Sequence, residues 1–262
     1  MNTNTIKIVS WNVNSIRARL ARVTAWLQKH NPDVLCIQES KVEDAKFPKE
    51  EFEKLGYHCE IYGQKAYNGV AILSKKPVTD IVKGFPDDGE AGHRRFLSGV
   101  AGGIRIINVY VPNGESVESE KFVFKRAWLK KLTELLKTSF DTSQPMILLG
   151  DFNIAPEDRD VHDPARWRGK VLFHPDEHAA LAEICKLGFR DALRLKYQDS
   201  GLYTWWDFRT MGFQRGYGLR IDLLLVTDSL AARCEDICID VEERAGAQPS
   251  DHAPVIGIFR EK

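Results

Sequence analysis

Short apolar runs rich in β-branched residues recur along the whole chain: Ile6 to Trp11, Val34 to Gln38, Val70 to Leu73, Ile104 to Val109, Met146 to Leu149, Ile221 to Val226 and Val255 to Phe259. Runs of this length read as strands, and several are too continuously apolar to keep a wet face, so they belong inside a layered structure. Between them lie stripes at helical spacing. Ile16, Leu20, Val23 and Leu27 form one, closed by Asn31-Pro32; Phe122, Leu129, Leu132 and Leu136 form a second; Leu181, Ile184 and Cys185 form a third. These are the core-facing sides of helices. The alternation lacks the regular βαβ rhythm of a doubly wound sheet, and Val70 to Val109 reads as consecutive strands joined by loops. Two sheets face to face with helices outside is the simplest solution. With no linker, compositional break or repeat in the 262 residues, a single domain over residues 1–262 is expected. The longest irregular stretch, Ala155 to Pro175, is of a length that often goes with function.

Polar residues sit where these strands end. Asn12 follows Ile8-Val9, Gln38-Glu39 follows Leu35-Cys36-Ile37, and Asp151-Phe152-Asn153 follows the Met146 run. Asp222 lies inside Arg220 to Val226, and Ser250-Asp251-His252 precedes Val255. A buried, unpaired charge costs several kcal/mol or shifts its pKa, so isolated structural use of all these positions is not expected. Convergence would gather Glu39, Asp151, Asp222 and Asp251, the amides Asn12 and Asn153, and His252. Oxygen donors without cysteine suit Mg²⁺ or Mn²⁺ rather than zinc. Such a set supplies what phosphoryl transfer needs: a cation site, a base for water and donors for the growing charge.

Charge and cysteine content narrow the setting. The 37 basic and 37 acidic residues cancel, yet a phosphate-binding surface and a carboxylate-rich site can coexist in one neutral chain. Basic residues cluster at Arg94-Arg95, from Lys121 to Lys131, at Arg166, Arg168 and Lys170, and at Arg209, Arg215 and Arg220. The five cysteines are an odd, dispersed set, which fits free thiols in a reducing compartment. No run approaches the roughly 20 apolar residues of a membrane span, and Met1 to Thr5 are polar with no apolar stretch behind them. A cytoplasmic protein without membrane contact is expected.

Order along the chain does not by itself bring these residues together. The blocks around them, however, are WNVNSIR at Trp11 to Arg17, IQESK at Ile37 to Lys41, NGVAI at Asn68 to Ile72, NVYVPNG at Asn108 to Gly114, GDFNIAP at Gly150 to Pro156, TWWDFR at Thr204 to Arg209, LRIDLL at Leu219 to Leu224 and SDHAPV at Ser250 to Val255. In this order, over nearly the whole chain, they resemble the exonuclease III family of abasic-site DNA repair endonucleases, within the endonuclease/exonuclease/phosphatase superfamily.

The resemblance implies an α/β fold: a four-layered αββα sandwich of two mixed sheets with the site at one edge. It implies Glu39 as principal ligand of Mg²⁺, or Mn²⁺ in its place, with Asn12 and Asp251 as ligands or just behind. Asp151 would position or deprotonate water, Asn153 would hold the scissile phosphate, and Tyr110 and His252 would complete the clamp, His252 being oriented by Asp222. Asn68, Gly69, Arg95, Asn113, Lys121, Lys125, Arg209, Arg215 and Arg220 are the implied DNA contacts. Trp205, Leu219 and Ile221 are the implied pocket for an abasic sugar. The implied reaction is cleavage 5′ to an abasic site in double-stranded DNA, with 3′-5′ exonuclease activity and trimming of blocked 3′ ends, by a monomer that joins the nucleoid when bound to DNA. Tyr217 departs from the family's frequent arginine, which puts grip on the helix and the balance of activities in question. Other branches of the superfamily hydrolyse inositol phosphates, sphingomyelin, RNA tails or undamaged DNA. A catalytically silent binding domain would lack a ligand or the base, and this sequence retains them all.

Overall fold

A computed structural model describes residues 4–89 and 92–261, so most of the polar Met1 to Thr5 segment lies outside the described residues. In chain order the strands are β1 (Thr5–Asn12), β2 (Val34–Gln38), β3 (His58–Tyr62), β4 (Val70–Ser74), β5 (Thr79–Lys83), β6 (Phe96–Ala101), β7 (Ile104–Tyr110), β8 (Met146–Asp151), β9 (Phe189–Asp191), β10 (Trp205–Trp206), β11 (Gly218–Leu219), β12 (Asp222–Thr227), β13 (Cys234–Ile239) and β14 (Val255–Arg260). One six-stranded sheet runs β13-β14-β1-β2-β4-β3 and the other β5-β6-β7-β8-β12-β9, with β10 and β11 as a small separate pair.

The continuous apolar runs are explained by what each face meets. Ile8, Cys36 and Ile72 point one way and pack against Ile106, Leu149 and Leu224 of the other sheet. Their sequence neighbours Val9, Leu35 and Ala71 point outward onto Val23 and Leu27 of helix Leu20–His30. On the far side, Ile107, Leu148 and Leu225 pack under Leu129 and Leu132 of helix Glu120–Ser139 and Ile184 of helix Pro175–Lys186. A strand alternates its faces residue by residue, so a strand covered on both sides must be apolar throughout. The layers are helix, sheet, sheet, helix, the αββα sandwich that the resemblance implies.

Strand direction decides where the polar residues go. β1 and β2 are parallel, as are β7 and β8, so Asn12, Gln38, Tyr110 and Asp151 all finish at one end. β12 runs antiparallel to β8 with Asp222 opposite Asp151, and β14 antiparallel to β1, which brings its leading segment Ser250 to Pro254 to the same end. Just beneath, Gln38 donates to Asn108 Oδ1 (2.7 Å), and Asn108 donates to the carbonyls of Ile37 and Ala71 (3.0 and 2.9 Å), a satisfied polar link between the sheets. Gly150 precedes Asp151 at φ 139°, where an added Cβ would fall 1.9 Å from the Val109 carbonyl oxygen, so only glycine lets β7 and β8 close there.

Among the described residues no helix is long and apolar enough to cross a membrane. All five cysteines are free; Cys36, Cys59 and Cys234 are buried and Cys238 is exposed.

Candidate active site

At the sheet ends, Asn12 is the hub. Its side-chain oxygen accepts from the Asn14 backbone N–H (3.0 Å), which turns its amino group onto Glu39 Oε1 and Asp151 Oδ2, both at 2.9 Å. Asn12 therefore faces the carboxylates as a donor that spaces them. Glu39 takes up a left-handed turn at φ 53° directly after β2, which aims its carboxylate at the strand ends instead of along the sheet. Its second oxygen meets Lys41 Nζ at 2.7 Å. Glu39, Asp151 and His252 each bring one ligand-type atom within 4.8 Å of the others.

Asp151 and Asp222 are fully buried with His252 between them. His252 Nδ1 lies 2.8 Å from Asp222 Oδ2, and its Nε2 lies 3.7 Å from Asp151 Oδ2. The orientation of Asp222 is set by Thr204, whose hydroxyl oxygen accepts from the N–H groups of Ile221 and Asp222 (3.0 and 3.1 Å). Burial opposes charge on His252, but Asp222 and then Asp151 outweigh it and raise its pKa to about 10. The imidazole is thus a cation across the neutral range, donating from Nδ1 to Asp222. For Asp151, burial is the largest effect; His252 opposes it, and Asp222 and Glu39 add to it, leaving the carboxyl pushed up to about 7. Asp222 Oδ1 is buried with no hydrogen-bond partner among the described residues. Closely packed carboxylates with a raised pKa and an orphan oxygen fit a bound divalent cation, which would relieve the repulsion.

Asp251 lies outside the three-residue group. Its oxygens accept from Asn14 Nδ2 (2.9 Å) and Trp205 Nε1 (3.0 Å). Burial works against its charge, yet His252, Trp205 and Asn14 together hold its pKa below the ordinary value.

The neutral donors stand beside the carboxylates. Asp151 Oδ1 accepts the Asn153 backbone N–H (2.9 Å), an Asx-type turn that closes β8. The Asn153 side chain donates to Val111 O (3.1 Å) and accepts from Asn113 Nδ2 (2.9 Å), which leaves one of its N–H groups unused. Tyr110 is kept protonated first by burial and then by negative Glu39, its pKa well above the ordinary value, and the Arg95 guanidinium lies over its ring at 4.4 Å.

The implied DNA contacts separate into two groups. Asn68, Arg95, Asn113, Lys121 and Arg209 line one open groove of about 690 Å³ beside Tyr110. Asn68-Gly69 is stitched to the Glu39 loop, since the carbonyls of Asn68 and Gly69 accept from the N–H groups of Lys41 and Ser40. A Cβ at Gly69 (φ 89°) would sit 2.1 Å from Ser40 Oγ. Arg215 is exposed on the short helix Gly212–Arg215. Lys125 and Arg220 correct the expectation: neither reaches the surface. Lys125 is sealed beneath the site against Glu177, and Arg220 is sealed between Asp160 and Asp191. Each has a carboxylate from a distant segment that cancels its charge, so neither can meet a phosphate backbone. Leu219 and Ile221 also have no open face. They are packed with Ala155, Val161 and Phe173, with only partly buried Trp205 at the margin of that cluster. Tyr217 stacks on His162 at 4.8 Å.

Sequence reasoning assigned no role to Asn14, Thr204 or Ser250. Asn14 joins Asp251 to Lys41, Thr204 fixes the Asp222 backbone, and the Ser250 hydroxyl donates to Asn12 O (2.6 Å) while accepting from the His252 N–H (3.2 Å). All three lie inside the quoted blocks, which is the one signal that could have found them.

With the geometry in hand, comparison with known proteins gives a consistent answer. The profile of the Endonuclease/Exonuclease/phosphatase family matches residues 9–252. Exodeoxyribonuclease III of Haemophilus influenzae is 39% identical, covering 97% of this chain and all of its own. Among solved structures, the 3′ phosphatase NExo from Neisseria bound to product DNA hairpin is 42% identical with a TM-score of 0.94, covering 97% of this chain and 99% of the other. An AP endonuclease from Archaeoglobus fulgidus is 41% identical with a TM-score of 0.92 over the same shares. The chain therefore belongs to the Endonuclease/Exonuclease/phosphatase family, and within it to the relatives of exodeoxyribonuclease III.

Proposed function

We propose that this protein is a Mg²⁺-dependent abasic-site endonuclease, with Mn²⁺ as a substitute, acting as a single intracellular domain and a monomer on double-stranded DNA in base excision repair. It hydrolyses the phosphodiester 5′ to the lesion, leaving a 3′-hydroxyl and a 5′-deoxyribose phosphate, and trims 3′ ends with the same residues. The observation that carries the reading is the buried Asp151–His252–Asp222 array set against Glu39 at the sheet ends.

A hard cation held by Glu39, with Asn12 and Asp251 as ligands or just behind, would polarise the phosphate and stabilise the leaving oxygen. Asp151, beside Glu39 and held by the Asn12 side-chain N–H, orients water and takes its proton. His252 is already charged and cannot serve as that base; it faces the phosphoryl oxygens as a cation. The free N–H of Asn153 and the hydroxyl of Tyr110 donate to the same oxygens as negative charge grows on them. Arg95, Asn113, Lys121 and Arg209 hold the strand along the groove, and Arg215, exposed on the short helix that follows Arg209, adds a further cation.

A duplex with one internal tetrahydrofuran abasic mimic should be nicked on its 5′ side when Mg²⁺ is supplied. No nicking with Mg²⁺ or Mn²⁺ sinks the abasic-site reading. Two observations favour a second reading, in which removal of 3′ phosphates is the leading activity: Leu219 and Ile221 are packed shut instead of lining an open sugar pocket, and a 42% identical relative is a 3′ phosphatase. A nicked duplex ending in a 3′ phosphate, assayed beside the internal lesion, ranks the two.

A further inference from the structure

Lys125 and Glu177 are each without any exposed side-chain surface, and both lie directly under the phosphate-facing amides. An ammonium has three N–H donors, and Lys125 commits them to three segments: the carbonyl of Asn113 after β7 (3.1 Å), the carbonyl of Asn153 after β8 (2.6 Å), and the Glu177 carboxylate. Glu177 in turn accepts the N–H groups of Leu172 (3.2 Å) and His174 (2.9 Å), closing the start of helix Pro175–Lys186. Asn153 holds a left-handed backbone at φ 50°, a conformation that surrounding contacts must maintain. The two amides that Lys125 supports from below are bonded to each other above it, Asn113 Nδ2 to Asn153 Oδ1.

A buried ion pair is weak evidence of a stability role, because apolar side chains of similar volume fill such sites as well or better. What apolar replacements could not reproduce is the grip on two carbonyls of the loops that face the phosphate. We infer that Lys125 and Glu177 are a positioning pair for Asn153 and Asn113, setting the angle at which those amides meet the phosphoryl oxygens. This rests on the proposed reading of Asn153 as a phosphate donor. Misplacing a reacting or orienting group by about 1 Å costs on the order of 100-fold in rate, whereas Glu39, the ligand proposed for the cation, is bonded to neither member of the pair, and Asp151 is reached only through the Asn153 N–H.

The test uses the full chain as Lys125→Met, as the Lys125→Met/Glu177→Gln double variant, which leaves no unpaired buried charge if the single variant does not fold, and as Lys125→Arg. On the abasic duplex, kcat should fall by about 10- to 100-fold, with a much smaller rise in the KM for DNA through Asn113 and little change in the Mg²⁺ midpoint, and Lys125→Arg should recover much of the loss. Amide hydrogen exchange should accelerate in residues 111–115 and 151–155 and stay slow in the sheets. A folded double variant with wild-type kcat, or exchange that rises evenly through the molecule, overturns the inference. If the wild type itself does not nick the duplex, the functional reading falls, and the exchange pattern alone decides whether the pair holds the loops.

Discussion

In the network around Asp160, every buried carboxylate meets a guanidinium, whereas at the sheet ends the fully buried Asp151 and Asp222 share the single imidazolium of His252. Asp160 receives Arg220 Nε (2.6 Å) and Nη2 (3.0 Å), a second guanidinium from Arg194, and the backbone N–H of Glu157 (3.1 Å), while Arg220 also reaches Asp191 (2.7 Å). Burial opposes the charge on Arg220, but Asp191 and Asp160 more than restore it. That network joins the loop before helix Pro164–Trp167 to the segment leading into β12; Arg194 Nε is buried there without a hydrogen-bond partner among the described residues, but the charges themselves are matched. The acidic cluster keeps an orphan oxygen on Asp222 and a raised pKa on Asp151. Burial is equal in the two places; charge compensation is not, and the deficit marks the site at which a cation and a phosphate belong.

The same substitution made in each cluster should give opposite results. Asp151→Asn removes the base and keeps the shape, so nicking should fall by about 10²- to 10⁴-fold while the metal-free protein unfolds at the same temperature as wild type or higher, because a repulsive charge has gone. Single-turnover rates with calorimetry on the same samples read both. Wild-type rates in Asp151→Asn would remove that residue from the chemistry.

Asp160→Asn should do the reverse. Arg194 loses its carboxylate and Arg220 is left with Asp191 alone, a change that costs up to roughly 3–5 kcal/mol of stability, and the nicking rate per folded molecule should hold. Urea unfolding followed by tryptophan fluorescence measures the first, and rates normalised to the folded fraction measure the second. Unchanged stability would mean that the network is not compensating charge in the way its geometry describes.

This contrast also separates what the sequence disclosed from what it did not. Val34 to Gln38 reads as a strand and is one to the residue, and Asn12, Glu39 and Asp151 stand out because a polar side chain at the last position of a covered strand or just past it has few destinations. The edge strand Thr79–Lys83 is mostly exposed, so no apolar run announces it. Lys125 and Arg220 defeat the reading for a different reason. Their letters look like those of any surface cation, and the carboxylates that make their burial tolerable, Glu177 and Asp160, lie 52 and 60 residues away in the chain. Helical spacing already places Lys125 near the buried face with Phe122, Trp128 and Leu129, but nothing in one sequence says which acid will meet it. Leu219 and Ile221 pose the same difficulty, since an apolar residue beside a site reads alike whether it lines a pocket or closes it.

A smaller effect distinguishes the clusters by pH in the absence of metal. His252 titrates at about 10 in the folded protein against 6.5 for the free side chain, so its stabilising contribution is complete below pH 6.5 and is lost as pH rises toward 10. Asp151, raised from 3.8 to about 7, also makes the folded state hold the extra proton, so stability falls as pH rises across that interval too. The two effects have the same sign. The slope is at most about 1.4 kcal/mol per pH unit for each proton. Urea midpoints from pH 6.5 to 10 should decline in wild type and flatten in His252→Gln; parallel curves would show that the imidazole carries no such charge.

The smallest effect belongs to an exposed pair that bounds the comparison from the other side. Arg209 lies in the groove with 87% of its side chain exposed, and its Nε and Nη2 lie 3.0 and 2.9 Å from the carboxylate of Asp207. A pair so open to water contributes about 0–1 kcal/mol, so Arg209→Ala should leave the unfolding temperature nearly where it was. On DNA the phosphate would compete with Asp207 for the same guanidinium, and each phosphate left without its cation lowers the slope of log affinity against log salt by about 0.9. Titrating a catalytically dead Asp151→Asn background, with and without Arg209→Ala, against labelled duplex over a range of salt isolates that effect. A slope that does not change would place the strand elsewhere than along the Tyr110 groove, and with it Arg95 and Lys121, because the three cations line one channel and a single backbone path has to explain them together.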